Sequence, residues 1–181
     1  METEQSIVDA ASGELYSTVV GSAFFVGQGG WGGPKGEKGP DYSPPKGKAP
    51  DATAETQTTP ETAHLYRLNG DYNPLHATPE PGAKMGFGGA IMHGLYSWNT
   101  SAHAVLKAFG GSDPANFRSY EARFASPVKP GEKLVTEMWR TGRKEEGGFE
   151  EIVFVARVEG GRVALSNGRA VVRVVGKGSK L

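Results

Sequence analysis

From Ile91 to Phe109 apolar side chains return at three- and four-residue steps: Ile91, Leu95, Trp98, Ala102, Val105, Leu106 and Phe109. That period predicts one amphipathic helix of roughly 16 residues, stopped by Gly110-Gly111. Beyond it the period shifts toward two. Phe117–Phe124, Lys133–Thr141, Phe149–Val158 and Arg162–Val175 carry strand-like runs, divided by Pro127–Gly131, Glu145–Gly148 and Gly160-Gly161. Gly160-Gly161 between Val158 and Val163 is a hairpin signal. One long helix followed by four antiparallel strands predicts an α+β layer architecture in which a sheet wraps the helix.

The N-terminal third has another texture. Leu15–Val26 is rich in β-branched and aromatic residues and predicts a strand, with no obvious local partner. Residues 27–50 then hold eight glycines and five prolines in 24 positions. Gly27, Gly30, Gly33, Gly36 and Gly39 recur every third residue, too few triplets for a collagen-like helix, so the stretch predicts an extended loop. It also contains a formal G-x-G-x-x-G, Gly27 to Gly32. A dinucleotide site needs a helix opening there, and Gly33-Pro34 forbids one. Thr59-Pro60-Glu61-Thr62 looks like a helix start with Thr59 as cap, leading through Leu65, Tyr66 and Leu68 to a stop near Gly70. The expected organisation is a strand with a Gly/Pro-rich linker over 1–58, a folded domain over 59–176 and a tail over 177–181.

Across 181 residues, 20 basic and 20 acidic side chains cancel, which removes the positive footprint of a protein that grips nucleic acid through phosphates. No apolar run approaches the ~20 residues of a membrane-spanning helix, and Met1-Glu2-Thr3-Glu4 is no signal-peptide start, so neither nucleic acid nor membrane is an expected partner. With no cysteine there is no disulfide, thiolate nucleophile or cysteine-held metal. The chain ends in Ser179-Lys180-Leu181 after Gly176-Lys177-Gly178, the form of a peroxisomal address on an exposed tail. It predicts a peroxisomal location and an import receptor as partner.

The densest polar motif runs from Tyr66 to His76, Tyr-Arg-Leu-Asn-Gly-Asp-Tyr-Asn-Pro-Leu-His. Asp71 and His76 lie five apart across Asn73-Pro74, where the proline keeps Asn73 extended, so a turn aims both groups at one small volume. A carboxylate and an imidazole sharing a water form an acid/base pair that needs no metal or cofactor. His93-Gly94 opens the long helix, and an unpaired backbone amide there favours negative charge such as an enolate oxygen. Blander readings stand beside these. Asp-x-Asn-Pro is also an ordinary turn with side-chain bonds to its own backbone. His93 fits a helix-start residue that merely packs or hydrogen-bonds, His64 and His103 lack partners at metal-ligand spacing, and Arg67 suits either a phosphate or bare solvent.

On these residues the chain resembles the MaoC-like dehydratases of the hot-dog superfamily, and within them the peroxisomal (R)-specific enoyl-CoA hydratases known as hydratase 2. The matching stretches are Tyr66–His76, Gly86-Phe87 through Ile91-Met92-His93-Gly94-Leu95, and Arg123-Phe124-Ala125-Ser126-Pro127-Val128-Lys129-Pro130-Gly131. The resemblance implies a hot-dog fold and syn addition of water across a trans-2-enoyl-CoA to give the (3R)-hydroxyacyl-CoA, or the reverse. Asp71 and His76 match the family's catalytic pair, Asn73 its water- or substrate-positioning asparagine, and Gly94 the glycine whose amide serves the thioester oxygen. Where the family usually has His-x-Asp-Pro this chain has His76-Ala77-Thr78-Pro79, and Thr78 is expected to cap the following helix. Eukaryotic members carry two hot-dog halves, and Leu15–Val26 with Gly27–Gly33 resembles only the end of the first. The expected partners are therefore an acyl-CoA and a second hot-dog unit, from a homodimer or another chain. A dehydratase for a specialised acyl-CoA, and a non-catalytic acyl-CoA- or partner-binding hot-dog, are the alternatives.

Overall fold

A computed structural model describes residues 2–22, 25, 27–33 and 39–176 of the chain. The described residues divide between Gly39 and Pro40 into two compact units. In the first, β1 (Glu2–Val8) pairs antiparallel with β2 (Leu15–Ser22) through a turn in which Asp9 Oδ1 accepts from the N–H groups of Ala11 and Ser12. The expected strand thus has a local partner. It went unseen because Glu-Thr-Glu-Gln-Ser-Ile-Val is polar for most of its length and every residue of β1 is exposed.

The second unit is built on five strands in the order β3-β5-β6-β7-β4, all antiparallel: β3 (Ala52–Gln57), β4 (Phe117–Phe124), β5 (Lys133–Glu145), β6 (Phe149–Val158) and β7 (Val163–Arg173). Helix α3 (Gly94–Phe109) packs against all five, giving the α+β hot-dog arrangement. β3 lies inside the stretch expected as linker. Its Ala-Thr-Ala-Glu-Thr-Gln offers no large apolar side chain, yet Ala52–Gln57 aligns with Lys133–Met138 at one sheet edge and turns Ala52 and Ala54 to the core. The folded unit therefore begins near Pro40, well before the expected boundary at residues 58/59.

Segment 40–51 lies on the outer sheet face. Asn167, at φ +52° within β7, accepts from the Tyr42 N–H at 2.7 Å and donates to the Pro40 carbonyl at 3.0 Å. Trp139 Nε1–H donates to the Lys48 carbonyl, and Tyr42 packs with Trp139, Val153 and Val155. β6 is thereby covered on both faces, which explains its unbroken apolar run Ile152–Ala156.

The core between α3 and the sheet holds Val105, Phe109, Leu134, Met138, Ile152, Phe154, Leu165 and Val172. The helical stripe is offset from the apolar pattern. Leu95 is exposed, while Ser97 and Ser101 are buried, Ser101 sharing a 3.1 Å hydroxyl bond with Thr136 of β5. Small side chains at these positions let the helix approach the sheet closely.

Short helices α1 (Thr62–Arg67) and α2 (Pro79–Lys84) and a 3-10 turn over Pro74–His76 precede α3. Glu61, not Thr59, occupies the cap of α1; the Thr62 hydroxyl still reaches back to the Thr59 N–H at 2.7 Å. Thr78 takes the cap position of α2 without a side-chain bond. Ser179, Lys180 and Leu181 lie outside the described residues, as do Pro34–Lys38 of the glycine-rich stretch.

Candidate active site

Three backbone devices bring the motif together. α1 ends where the Gly70 N–H returns to the Arg67 carbonyl at 2.9 Å with Gly70 at φ +108°, a conformation that favours glycine. Asp71 Oδ1 then accepts from the Asn73 N–H at 3.1 Å, and Asn73 Oδ1 from the Leu75 N–H at 3.0 Å. The second bond caps the Pro74–His76 turn and rotates His76 inward. On the other side the chain doubles back over Gly82–Gly89. A Cβ on Gly82 would stand 1.8 Å from the Gly89 carbonyl oxygen, so only glycine permits this approach, which delivers Ile91, Met92 and His93 to the site.

His76 is buried, and its Nδ1 lies 2.9 Å from the Ile91 carbonyl. A carbonyl only accepts, so Nδ1 carries the hydrogen and, in the neutral ring, the Nε2 lone pair is free for another partner. Asp71 and Asn73 are exposed beside it. Side-chain donor atoms of Asp71, His76 and His93 lie within 4.8 Å of one another. The Asx-type bond thus coexists with convergence on His76, since it uses one carboxylate oxygen only.

His93, expected as a helix-start residue that packs or hydrogen-bonds, does both, and it occupies the centre of the cluster. Its ring stacks on His76 with centroids 3.9 Å apart and planes 26° apart, and meets Tyr66 at 4.9 Å. Nε2 lies 3.2 Å from the Asp71 carbonyl and so donates to it, while Nδ1 is buried without a hydrogen-bond partner. Burial is the main cause holding the His93 pKa below the usual imidazole range, and the neighbouring His76 and Arg67 charges act in the same direction; the bond to Asp71 and its charge oppose them. His93 is therefore neutral near pH 7.

These three side chains are a poor cation site. Nearly parallel stacked rings set their lone pairs side by side, whereas metal-bound imidazoles point in-plane at one ion about 2.0–2.1 Å away.

Gly94 is the first residue of α3, where the N–H has no acceptor within the helix. A Cβ there would come within 3.1 Å of the Phe124 ring. Arg67 does not stand free in solvent: it donates to the Tyr72 carbonyl at 3.2 Å, lies over the Tyr72 ring and buries Nε without a partner. It fastens the motif loop. His64 contacts the Ala77 carbonyl and His103 is exposed, both apart from the cluster. The large cavity of about 800 Å³ lies elsewhere, lined by Phe109, Arg140, Phe149 and Glu150 near the far end of α3. The cluster itself opens to the surface, among exposed Leu68, Tyr72, Leu95 and Phe124.

Residues 41–161 match the family model described as MaoC like domain. The chain is 48% identical over 190 aligned residues to a probable dehydratase, NIT22, of Ajellomyces capsulatus, an alignment covering 98% of this chain and 49% of that protein. It is 40% identical over 154 residues to a peroxisomal hydratase-dehydrogenase-epimerase of Neurospora crassa, covering 82% of this chain and 16% of that one. A crystal structure of a MaoC-like dehydratase from Phytophthora capsici superposes with TM-score 0.76 at 35% identity, over 94% of this chain and 55% of that one. The chain spans about half the length, or less, of these relatives.

Proposed function

Because the chain belongs to the MaoC-like domain family, we propose that it is a hydro-lyase on acyl thioesters: an (R)-specific enoyl-CoA hydratase, or the 3-hydroxyacyl-CoA dehydratase running the same step in reverse. The observation that carries this reading is the convergence of Asp71 and His76 within 4.8 Å at the start of α3. In the forward direction one water lies between the Asp71 carboxylate and His76 Nε2. Its hydroxyl adds to C3 of the enoyl group as His76 takes a proton, and the pair returns one proton to C2 on the same face, so atoms and charge balance. Negative charge developing at the thioester oxygen meets the Gly94 amide at the positive end of a 16-residue helix. Asn73 spends Oδ1 on the turn, which leaves Nδ2 as the donor for water or substrate.

Activity in this reading requires a second hot-dog unit, from a copy of this chain or another chain. Half-length coverage of the relatives and the exposed apolar side chains Leu68, Tyr72, Met85, Leu95 and Phe124 on segments flanking the site support it. Ser179-Lys180-Leu181 supports peroxisomal import. The test is hydration of crotonyl-CoA and a panel of longer trans-2-enoyl-CoAs by wild type and Asp71→Asn. Turnover in the wild type that falls about 100-fold or more in the variant is expected. Binding of acyl-CoA with no turnover across the panel in either protein would replace the hydratase with a non-catalytic binder, the reading that the half-length coverage also favours.

A further inference from the structure

His93 is 98% removed from solvent by its 2% exposure, neutral, and carries an unpartnered Nδ1 in the interior. Leaving a buried acceptor unsatisfied destabilises the fold, and an apolar ring of similar shape would avoid that cost. Packing alone thus does not explain an imidazole here. What an imidazole supplies is two contacts at once. Its face lies on His76 at 3.9 Å, and its Nε2–H holds the carbonyl of Asp71 at 3.2 Å.

Each contact restricts a freedom of the site. The bond from His76 Nδ1–H to the Ile91 carbonyl lasts only while the ring plane stays in place, since a pivot about Cβ–Cγ would break it, free the tautomer and swing Nε2 out of line. The stacked His93 ring, itself backed by Tyr66 at 4.9 Å, blocks that pivot. The Asx bond orients the Asp71 carboxylate against its own loop, and the His93 tie anchors that loop to the start of α3.

We propose that His93 is a positioning residue that fixes the His76 ring plane through its face and the Asp71 backbone through Nε2–H, without touching substrate; the kinetic part of this inference rests on the hydratase reading above. Two variants separate the contacts. His93→Phe keeps the ring face and removes both the tie and the unpaired nitrogen. His93→Gln keeps an amide donor for the Asp71 carbonyl and removes the stack.

The experiment combines steady-state hydration of crotonyl-CoA with NMR assignment of the imidazole tautomers in the 181-residue chain. For His93→Phe the expected result is an unchanged or raised Tm with kcat at least tenfold lower and KM within twofold. For His93→Gln it is a His76 that averages between tautomers where the wild type holds a single Nδ1–H form, again with kcat at least tenfold lower. If His93→Phe fails to fold, His93→Gln carries the test. Variants that keep kcat within twofold of wild type, or a His76 tautomer unchanged in His93→Gln, overturn the proposal. A wild-type chain with no turnover would refute the hydratase reading instead, and the tautomer comparison would still decide the role of His93.

Discussion

Asn73 has two separable duties, and replacing it with aspartate or alanine divides them. Oδ1 accepts from the Leu75 N–H at 3.0 Å and caps the turn that buries His76, while Nδ2 makes no comparable bond to the turn. Aspartate retains an oxygen in the capping position, so the cap, about 1 kcal/mol in ordinary helices, survives. Alanine loses it. For a folded unit of this size a loss of about 1 kcal/mol lowers Tm by about 4 °C. The catalytic loss runs the other way. Both variants lack the Nδ2 donor, and one hydrogen bond of about 1.4 kcal/mol felt in the transition state is worth a factor of about ten in kcat. Aspartate also sets a second carboxylate beside Asp71, which disfavours ionising both and moves the acid limb of the pH–rate profile to higher pH. Thermal unfolding followed by circular dichroism, with crotonyl-CoA hydration over pH 5–9, reads all three effects. Asn73→Asp is expected within about 1 °C of wild type in Tm but at least tenfold slower; Asn73→Ala is expected to lose both. An aspartate variant with wild-type kcat would show that Nδ2 has no part in the reaction, and an alanine variant with unchanged Tm would show that the cap does not hold the turn.

Gly82→Ala places a Cβ 1.8 Å from a backbone oxygen, so the 82–89 reversal must open; a loss of about 1–3 kcal/mol in urea unfolding and a kcat reduced more than tenfold are expected. Asn167→Ala loses two bonds to segment 40–42 and places a Cβ residue at φ +52°, whereas Asn167→Gly loses only the bonds; alanine should be less stable than glycine by about 1 kcal/mol, read by urea denaturation. His93 makes stability depend on pH with a definite sign. Its folded pKa is lowered, so its full contribution is present above the ordinary value of 6.5 and is lost as pH falls from there toward the folded pKa, because the unfolded chain takes up the proton first. The slope is at most about 1.4 kcal/mol per pH unit, and His93→Phe should flatten it in urea titrations between pH 7.5 and 5. Size-exclusion chromatography with light scattering should show the active species as a dimer or a heteromer; a fully active monomer would refute the need for a second hot-dog unit.

The long helix and five of the seven strands among the described residues were legible because their signals are local. α3 fills a 3.6-residue period, and β4 to β7 are apolar runs bounded by glycine and proline. β1 and β3 were not, since their side chains are small or polar and only the register against β2 and β5 makes them strands. The offset stripe on α3 has the same origin: Leu95 is apolar yet exposed near the site, and Ser101 is polar yet buried against Thr136, a pairing set by β5 thirty-five residues away. Within the site, the nearness of Asp71 and His76 followed from a proline turn five residues long. His93 needed the close approach of Gly82 to Gly89 before its ring could reach His76, and no spacing along the chain encodes that contact. A histidine preceding a helix-opening glycine, with Tyr66 and His76 in the facing motif, was the available hint.

The central claim is that Asp71 and His76 add the elements of one water to one face of an enoyl thioester. It is tested most directly by hydrating a trans-2-enoyl-CoA in D2O with the active form of the 181-residue chain, then determining the configuration at C3 and the position of deuterium at C2. The account predicts the (3R)-hydroxyacyl-CoA with deuterium added syn to the hydroxyl, and neither product above background with Asp71→Asn. A (3S) product, anti addition, or equal product from Asp71→Asn would contradict it.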